Sequence, residues 1–174
     1  MDKHTISLQN GTHLNIRPVE AQDAAKIYEM HRRLSAESLT LRYFRPFIPS
    51  LEEIEQVCHL GGAEGQTLVA ILDDEAQTVV GLACYVIERR GQPLTAEPAI
   101  LIEDQFQGQG LGRRLWQQLQ QQAQAQGINI FNIFVHLSNF PMMALVRSAG
   151  LPFEAKFLDG ARQIRIELGT GQAA

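Results

Sequence analysis

Three glycines alternate within the segment EDQFQGQGLGRRL, which spans residues 103–115. Gly108, Gly110 and Gly112 carry no side chains, so a ligand can approach the backbone N–H groups of this segment closely. An amphipathic run that predicts a helix follows them, and a helix N-terminus offers unpaired N–H donors and the positive end of the helix dipole. The segment therefore predicts a site for a phosphate or pyrophosphate, with a tight turn that binds nothing as the alternative.

Two common phosphate-binding motifs do not fit this segment. The ATP-type P-loop ends in Gly-Lys-Ser/Thr, whereas Arg113 and Arg114 follow Gly112 here. The dinucleotide fingerprint G-x-G-x-x-G, begun at Gly108, requires a glycine where Arg113 stands. The acidic residue that this fingerprint places about 20 positions downstream is also missing.

The pattern Q/R-x-x-G-x-G/A does fit, and it resembles the acetyl-CoA signature of the GNAT family of N-acetyltransferases. In that family the loop amides hold the CoA pyrophosphate, and the preceding strand splays from its neighbour to pair with the pantetheine arm. The resemblance thus implies acetyl-CoA as co-substrate and no metal. The residues that it assigns to cofactor binding in this region are Ile100, Leu101, Ile102, Gln107, Gly108, Gln109, Gly110, Leu111, Gly112 and Arg113.

A second segment, HLSNFPMMALVRSAGL, resembles another GNAT landmark, N-x-x-M/A-x-x-L-x-x-x-G-F/L. By this resemblance, Asn139 and Met143 contact the cofactor. Asn139 also precedes Phe140 and Pro141, a position that suits a helix N-cap, and both roles can hold at once.

The chemistry implied by such a cofactor is acetyl transfer from a thioester to an amine. A lysine amine has a pKa of about 10.4, so a base must remove a proton before or during attack. Glu97 and Glu103 stand at the two ends of one predicted strand and share a face by its period of two. The run AEPAILI resembles the A-E-F-A pattern of bacterial protein lysine acetyltransferases, which implies Glu97 as the base, with Pro98 replacing the aromatic residue.

The segments LQNGTHLNIRPVEAQDA and LSAESLTLRYF resemble the catalytic domain of the same bacterial branch, so the likeness covers roughly residues 5–168. It implies a protein lysine as acceptor. A small-molecule amine, such as a polyamine or amino acid, and a non-catalytic acyl-CoA-binding module are the alternatives. We expect a monomer or a homodimer, and Tyr43 and Tyr85 are candidates for lining the acceptor site.

Two positions depart from relatives in this family. Phe134 stands where many enzymes that modify protein N-termini have a glutamate, and Val146 stands where many have a tyrosine general acid. We therefore expect no tyrosine acid, and the thiolate leaves with help from amides or water. His136 is the nearest titratable alternative, although a lone histidine at a strand end is more often structural. Cys84 lies in an apolar strand with no basic neighbour in sequence, which argues against a nucleophilic role.

The elements that must position these residues follow from periodicity and from turn signals. The sequence predicts strands near 4–9, 12–17, 67–72, 78–88, 97–103, 128–136, 153–159 and 162–168. It predicts helices within 23–35, 35–44, 50–61, 111–126 and 140–150, and a disordered tail from 169. Ser50 and Glu53 predict a capping box at the start of the third helix, and Leu111, Leu115, Leu119 and Ala123 predict an apolar stripe on the fourth. This order favours an α/β (α+β) fold with a mixed central sheet flanked by helices, and the resemblance implies the three-layer GNAT form.

Composition bounds the remaining possibilities. The chain has 174 residues, enough for one domain over 1–174 with a core of about 12–168. Its net charge of -4 argues against a sequence-independent nucleic-acid binder. No apolar run suits a transmembrane helix or a signal peptide, so we expect no membrane partner and a cytoplasmic location. Cys58 and Cys84 form neither a disulfide framework nor a metal site.

Overall fold

The computed structural model describes residues 4–88 and 93–169. The expected tail over 170–174 and part of the loop expected after β4, residues 89–92, lie outside the described residues. Within the described chain no helix is long and apolar enough to cross a membrane.

The described strands form one sheet of eight strands in the order β1-β2-β3-β4-β5-β6-β8-β7. Neighbouring strands run antiparallel except β5 and β6, which are parallel. Their bounds are β1 His4–Ser7, β2 His13–Pro18, β3 Gly65–Leu72, β4 Val79–Glu88, β5 Thr95–Ile102, β6 Ile130–His136, β7 Phe153–Leu158 and β8 Ala161–Glu167. The mixed central sheet predicted from the sequence is confirmed.

Helices cover parts of both faces of this sheet. They are α1 Ala24–Arg33, α2 Ala36–Tyr43, α3 Leu51–Cys58, α4 Leu111–Ala125 and α5 Phe140–Ser148. Short 3₁₀ turns at Ala21–Asp23 and Asp104–Phe106 precede α1 and α4. The predicted capping box of α3 is confirmed, because Ser50 accepts from Glu53 N and the Glu53 carboxylate accepts from Ser50 N.

The core lies in two layers, one on each side of the sheet. The larger layer joins the sheet to α4, whose predicted stripe of Leu111, Leu115, Leu119 and Ala123 is fully buried. Gly81 allows this close packing, since a Cβ atom there would lie 3.3 Å from Leu115 Cδ1. The smaller layer joins α1, α2 and α3 to the opposite face of β3, β4 and β5.

A buried ion pair anchors α1 to the sheet. The Arg17 guanidinium donates to both carboxylate oxygens of Asp23 at 2.7 and 2.8 Å, and Asp23 is fully buried. Burial opposes ionisation of Asp23, but the hydrogen bonds from Arg17 and from the Glu20 backbone outweigh it and hold the pKa below its usual value.

Candidate active site

The strands β5 and β6 diverge, and the divergence opens the main cavity of the described structure. They pair only at Thr95–Ile130 and Ala96–Phe131, whereas β5 stays paired with β4 as far as Ile102. The cavity has a volume of about 540 Å³. Its lining includes 97–102 of β5, 133–135 of β6, Gln107, Gly108, Gly110, Gly112, Arg113, Leu41, Arg42, Asn139, Met142 and Leu145. The splay that the resemblance implied at Ile100, Leu101 and Ile102 is thus present in the structure.

The three alternating glycines serve two different purposes. Gly108 and Gly110 have φ angles of 70° and 92°, and a Cβ atom on either would meet nothing within 4 Å. Their positive φ, which glycine tolerates best, turns the chain into α4 and leaves open space beside the backbone. Gly112 instead permits contact, because a Cβ atom there would lie 3.3 Å from Ile102 Cδ1.

Gln107 holds this loop to α2 together with Asp104, Ser35 and Ser38, which the sequence analysis did not single out. The Gln107 amide donates to Ile102 O at 2.9 Å and to Ser38 Oγ at 3.0 Å. Asp104 accepts from Ser35 N, Ser35 Oγ and Ser38 Oγ at 3.0, 2.6 and 2.8 Å. Burial opposes the ionisation of Asp104, yet these hydrogen bonds lower its pKa. No local sequence signal could have shown this link, because its partners lie 66 to 69 positions apart.

Three of the residues assigned to cofactor binding do not line the cavity. Leu111 and Met143 have side chains 0% and 5% exposed, and both pack in the core beneath it. Gln109 donates its amide to Gln105 O at 2.6 Å and lines a smaller neighbouring cavity of about 400 Å³, together with Arg113. The other residues of that assignment all line the main cavity.

Asn139 caps α5 at the mouth of the same cavity. Its side-chain oxygen accepts from Met142 N at 3.0 Å, which confirms the predicted N-cap. Its amide also donates to Leu41 O at 3.4 Å and so ties the start of α5 to α2. This position leaves Asn139 among the residues that line the cavity.

The two candidate carboxylates have different environments. Glu97 is exposed, lines the cavity, and has no hydrogen-bond or ion-pair partner among the described residues. Glu103 is 5% exposed and accepts from Arg33 Nε at 3.0 Å, while its second oxygen accepts from Gln105 Nε2 at 2.7 Å. Glu103 is therefore a structural residue that joins α1 to the end of β5, and Glu97 is the carboxylate available for chemistry.

Arg42 is a cavity residue that the sequence analysis missed. Its guanidinium lies 4.8 Å from the centroid of the Tyr43 ring, on the side of the cavity formed by α2. Arg42 and Glu97 line the same cavity. In the sequence, the available signal for Arg42 was its position next to Tyr43 in LRYF. This stretch lies within a segment that resembles the catalytic domain of bacterial protein lysine acetyltransferases.

Neither cysteine is suited to nucleophilic catalysis. Burial raises the pKa of the Cys84 thiol, and it raises the pKa of the Cys58 thiol to about 11. Thiols of this kind are inert because the thiolate is the reactive form. Over residues 4–88 and 93–169, no group of three or more His, Cys, Asp or Glu side chains is placed to hold a metal ion.

Neither of the two tyrosines proposed for the acceptor site lines the cavity, and for Tyr85, which is fully buried, the prediction is wrong. Tyr85 is fully buried against Phe131 in the core, where burial raises its pKa to about 12. The Tyr43 hydroxyl lies 2.8 Å from His31 Nε2, and His31 Nδ1 lies 2.8 Å from Ile27 O. Since a carbonyl only accepts, Nδ1 carries the proton and Tyr43 donates to Nε2. Burial lowers the pKa of His31, which agrees with a neutral ring.

The positions considered for a general acid offer none at the cavity. Val146 is 1% exposed and belongs to the core. His136 accepts from Ser138 N at 3.2 Å, and its ring lies in tilted contact with that of Phe44, so it organises the turn before α5. No tyrosine is among the described residues that line the cavity.

Comparison with known proteins agrees with this architecture. A family model described as Acetyltransferase (GNAT) family matches residues 26–151. The GNAT domain of S. lividans PAT has a TM-score of 0.83 and 23% identity, over 95% of this chain and 96% of that one. A phosphinothricin acetyltransferase from Sinorhizobium meliloti, in complex with AcCoA, has a TM-score of 0.71 and 22% identity, over 92% and 91%. A ribosomal-protein-alanine N-acetyltransferase from Brucella melitensis has a TM-score of 0.64 and 19% identity, over 87% and 96%. At these identities, the structural likeness concerns the fold.

Proposed function

The chain belongs to the GNAT family of acetyltransferases, and from that premise we propose that it transfers the acetyl group of acetyl-CoA to the ε-amine of a protein lysine. Acetyl-CoA dependence follows from membership in the family. The observation that carries the proposed chemistry is Glu97, an exposed carboxylate without a partner in the described chain, which lines the same cavity as the glycine loop.

The cavity has the length and the edge needed for the cofactor. Glu97 and Ile102 are five residues apart on an extended strand, which is about 17 Å at 3.3–3.4 Å per residue. Along this stretch β6 does not pair with β5, so the edge of β5 that faces β6 is free to bond the amides of the pantetheine arm. With its pyrophosphate at Gly108 and Gly110, acetyl-CoA would direct its thioester towards Glu97.

The proposed reaction is a direct transfer. The carboxylate of Glu97 takes a proton from the ammonium group of the acceptor, directly or through one water. The neutral nitrogen then attacks the thioester carbonyl carbon, so that a C–N bond forms and the C–S bond breaks. The nitrogen of the tetrahedral intermediate releases its second proton to water as the thiolate of CoA leaves, and the thiolate takes a proton from water. Val146 lies in the core, so this scheme assigns no protein acid to that step.

The surface around Glu97 favours lysine as the acceptor. Val86, which pairs with Glu97 across β4 and β5, is 45% exposed, and Phe134 on β6 is also 45% exposed. A lysine stem packs on apolar surfaces of this kind while its ammonium group reaches the carboxylate. We place the enzyme in the cytoplasm, because two buried free thiols suit a reducing compartment.

Arg42 favours a second candidate, a small amino acid as acceptor. A guanidinium in the same cavity as Glu97 suits the carboxylate of such a substrate. The third reading, a binding module without catalysis, has no use for an unpaired carboxylate at that point of the cavity.

The experiment is CoA release from acetyl-CoA with lysine peptides, polyamines and amino acids, measured for the wild type and Glu97→Gln. We expect release with lysine peptides that falls by about 10²-fold in the variant, the scale of a lost general base. Glu88→Gln is the matched control, since Glu88 is an exposed carboxylate on β4 that accepts from Thr95 and Asn132. It should retain near wild-type activity.

The other outcomes separate the alternatives. Full activity in Glu97→Gln would disprove the choice of base. Release with amino acids only, lost in Arg42→Gln, would favour the small-molecule acceptor. Binding of acetyl-CoA without release for any amine would favour the non-catalytic module.

A further inference from the structure

The strand β7 forms one edge of the sheet and is unusually open. All of its residues, Phe153 to Leu158, are exposed, and Phe157 is 74% exposed. β7 pairs with β8 on one side, and no described strand pairs with its other side. Exposed edge strands carry a row of unpaired N–H and C=O groups that can bond another chain.

The register of β7 shows which of its backbone groups face the open edge. The carbonyl of Pro152 accepts from Glu167 N at 3.0 Å, so the residue pair 152–167 is hydrogen-bonded. In an antiparallel ladder, hydrogen-bonded and non-hydrogen-bonded pairs alternate. The N–H and C=O groups that point away from β8 therefore belong to Phe153, Ala155 and Phe157.

The segment over 153–157, FEAKF, is self-complementary when it is paired antiparallel with itself. With Ala155 opposite its own copy, Glu154 faces Lys156 of the second copy, and Lys156 faces Glu154. Phe153 of each copy faces Phe157 of the other copy, so one such pair lies on each side of Ala155. The outward groups of 153, 155 and 157 then meet as hydrogen-bonded pairs.

We propose that two copies of this chain form a homodimer by pairing their β7 strands antiparallel about a two-fold axis at Ala155. Six backbone hydrogen bonds form between the two strands, two for each of the three facing residue pairs. The two sheets thereby join edge to edge, and the phenylalanine side chains pack in cross-strand pairs. This surface lies on β7, whereas the cavity lies between β5 and β6.

The charges select this register over its neighbours. A shift by one hydrogen-bonded pair in one direction places Glu154 opposite Glu154, and a shift in the other direction places Lys156 opposite Lys156. Like charges directly opposite each other destabilise a strand pair. A lysine on an edge strand normally discourages pairing, and of these three registers only the one centred on Ala155 places Lys156 opposite a carboxylate.

The contact is small, so the dimer should be reversible. Stable protein interfaces bury about 1,200–2,000 Å² in total, and a single pair of five-residue strands lies at or below the low end. We therefore expect a dissociation constant in the micromolar range, about 1–100 µM.

Sedimentation velocity on the full chain, from about 1 to 200 µM, tests the proposal. The wild type should shift from monomer to dimer over this range. Glu154→Lys should weaken association at least about tenfold, because it places lysines opposite Lys156 in both pairs. The double variant Glu154→Lys/Lys156→Glu should restore association, since the swapped charges again face opposite signs.

Two further variants test the geometry. Ala155→Pro removes one outward N–H without touching the bonds to β8, and it should yield a folded monomer. Ala155→Cys should form an intermolecular disulfide on oxidation, because facing Cα atoms in a hydrogen-bonded pair lie about 5.5 Å apart. Leu158→Cys is the matched control, since its two copies would lie about 20 Å apart. Circular dichroism verifies folding of each variant.

Three results would overturn the proposal. One is a wild-type chain that stays monomeric across the concentration range. Another is a dimer that Glu154→Lys and Ala155→Pro leave unchanged. The third is cross-linking through Leu158→Cys as readily as through Ala155→Cys.

Discussion

The two ends of β5 are held in different ways, although both border the cavity. At the C-terminal end, Glu103 bonds to Arg33, and Gln107 bonds to Ser38. At the N-terminal end, Glu97 is exposed and has no bonded partner in the described chain. In the proposed function, the end that would bind the cofactor is held by hydrogen bonds within the protein, whereas the end that would bind the acceptor keeps its carboxylate free for a proton. A preorganised cofactor site and an adaptable acceptor site would suit a family in which one cofactor serves many acceptors.

The largest effect that we expect comes from the free end. Glu97→Gln should lower kcat/KM by about 10²-fold, which is about 2.7 kcal/mol of transition-state stabilisation. Its melting temperature should stay at the wild-type value, because an exposed side chain without a partner contributes little to folding. Enzyme kinetics test the expected fall in kcat/KM, and thermal unfolding tests the expected unchanged melting temperature. A Glu97→Gln variant that is less stable than the wild type but equally active would mean that Glu97 has a structural role and is not the base.

The organised end should respond in the opposite way. Glu103→Gln leaves Arg33 without its anionic partner and should lower the free energy of unfolding by about 2 kcal/mol, below the value for a fully buried pair because Arg33 is partly exposed. Glu167→Gln is the control, since it breaks the exposed pair with Arg165 at 2.9 Å and should cost below about 0.5 kcal/mol. Urea denaturation compares the two. Equal losses would contradict a structural role for Glu103.

The glycine loop allows stability and binding to be separated. Gly110→Ala and Gly127→Ala both place a side chain at positive φ, 92° and 78°, where a Cβ atom meets nothing within 4 Å. Each should cost about 1 kcal/mol of stability from backbone strain. Only Gly110→Ala should also raise the KM for acetyl-CoA, because Gly110 lines the cavity. A rise in KM for both variants would trace the effect to stability.

The smallest expected effect concerns the stability of the protein at acidic pH. Hydrogen bonds from Ser35 and Ser38 outweigh burial and lower the pKa of Asp104 from its usual 3.8. The stability from this group is therefore present above pH 3.8 and is lost as pH falls through the lower folded pKa. Asp104→Asn should reduce the loss in the free energy of unfolding at acidic pH by less than about 1 kcal/mol, because Asp104 is exposed. Denaturation midpoints at several acidic pH values test this. If the variant showed the same pH dependence as the wild type, this role of Asp104 would be contradicted.

The sequence predicted the elements well where their signals are local. The apolar stripe of α4, the cap at Ser50 and the N-cap at Asn139 depend on neighbours a few positions away, and each is present as predicted. The prediction for Tyr85 failed because its surroundings depend on distant parts of the chain. Tyr85 lies on β4, a central strand covered on both faces, so its side chain is buried beneath the sheet.

Sequence alone determined the family, the glycine loop before α4 and the pair of carboxylates at the two ends of one predicted strand, because each is encoded within a short stretch of chain. The tertiary structure decided which carboxylate is free. Period-two alternation places Glu97 and Glu103 on the same face, but only the packing of α1 brings Arg33 to Glu103. It likewise brought Arg42 and Phe134 from distant segments into one cavity with Glu97. Such contacts depend on how helices pack across the sheet, and no pattern within a short stretch of sequence predicts that packing.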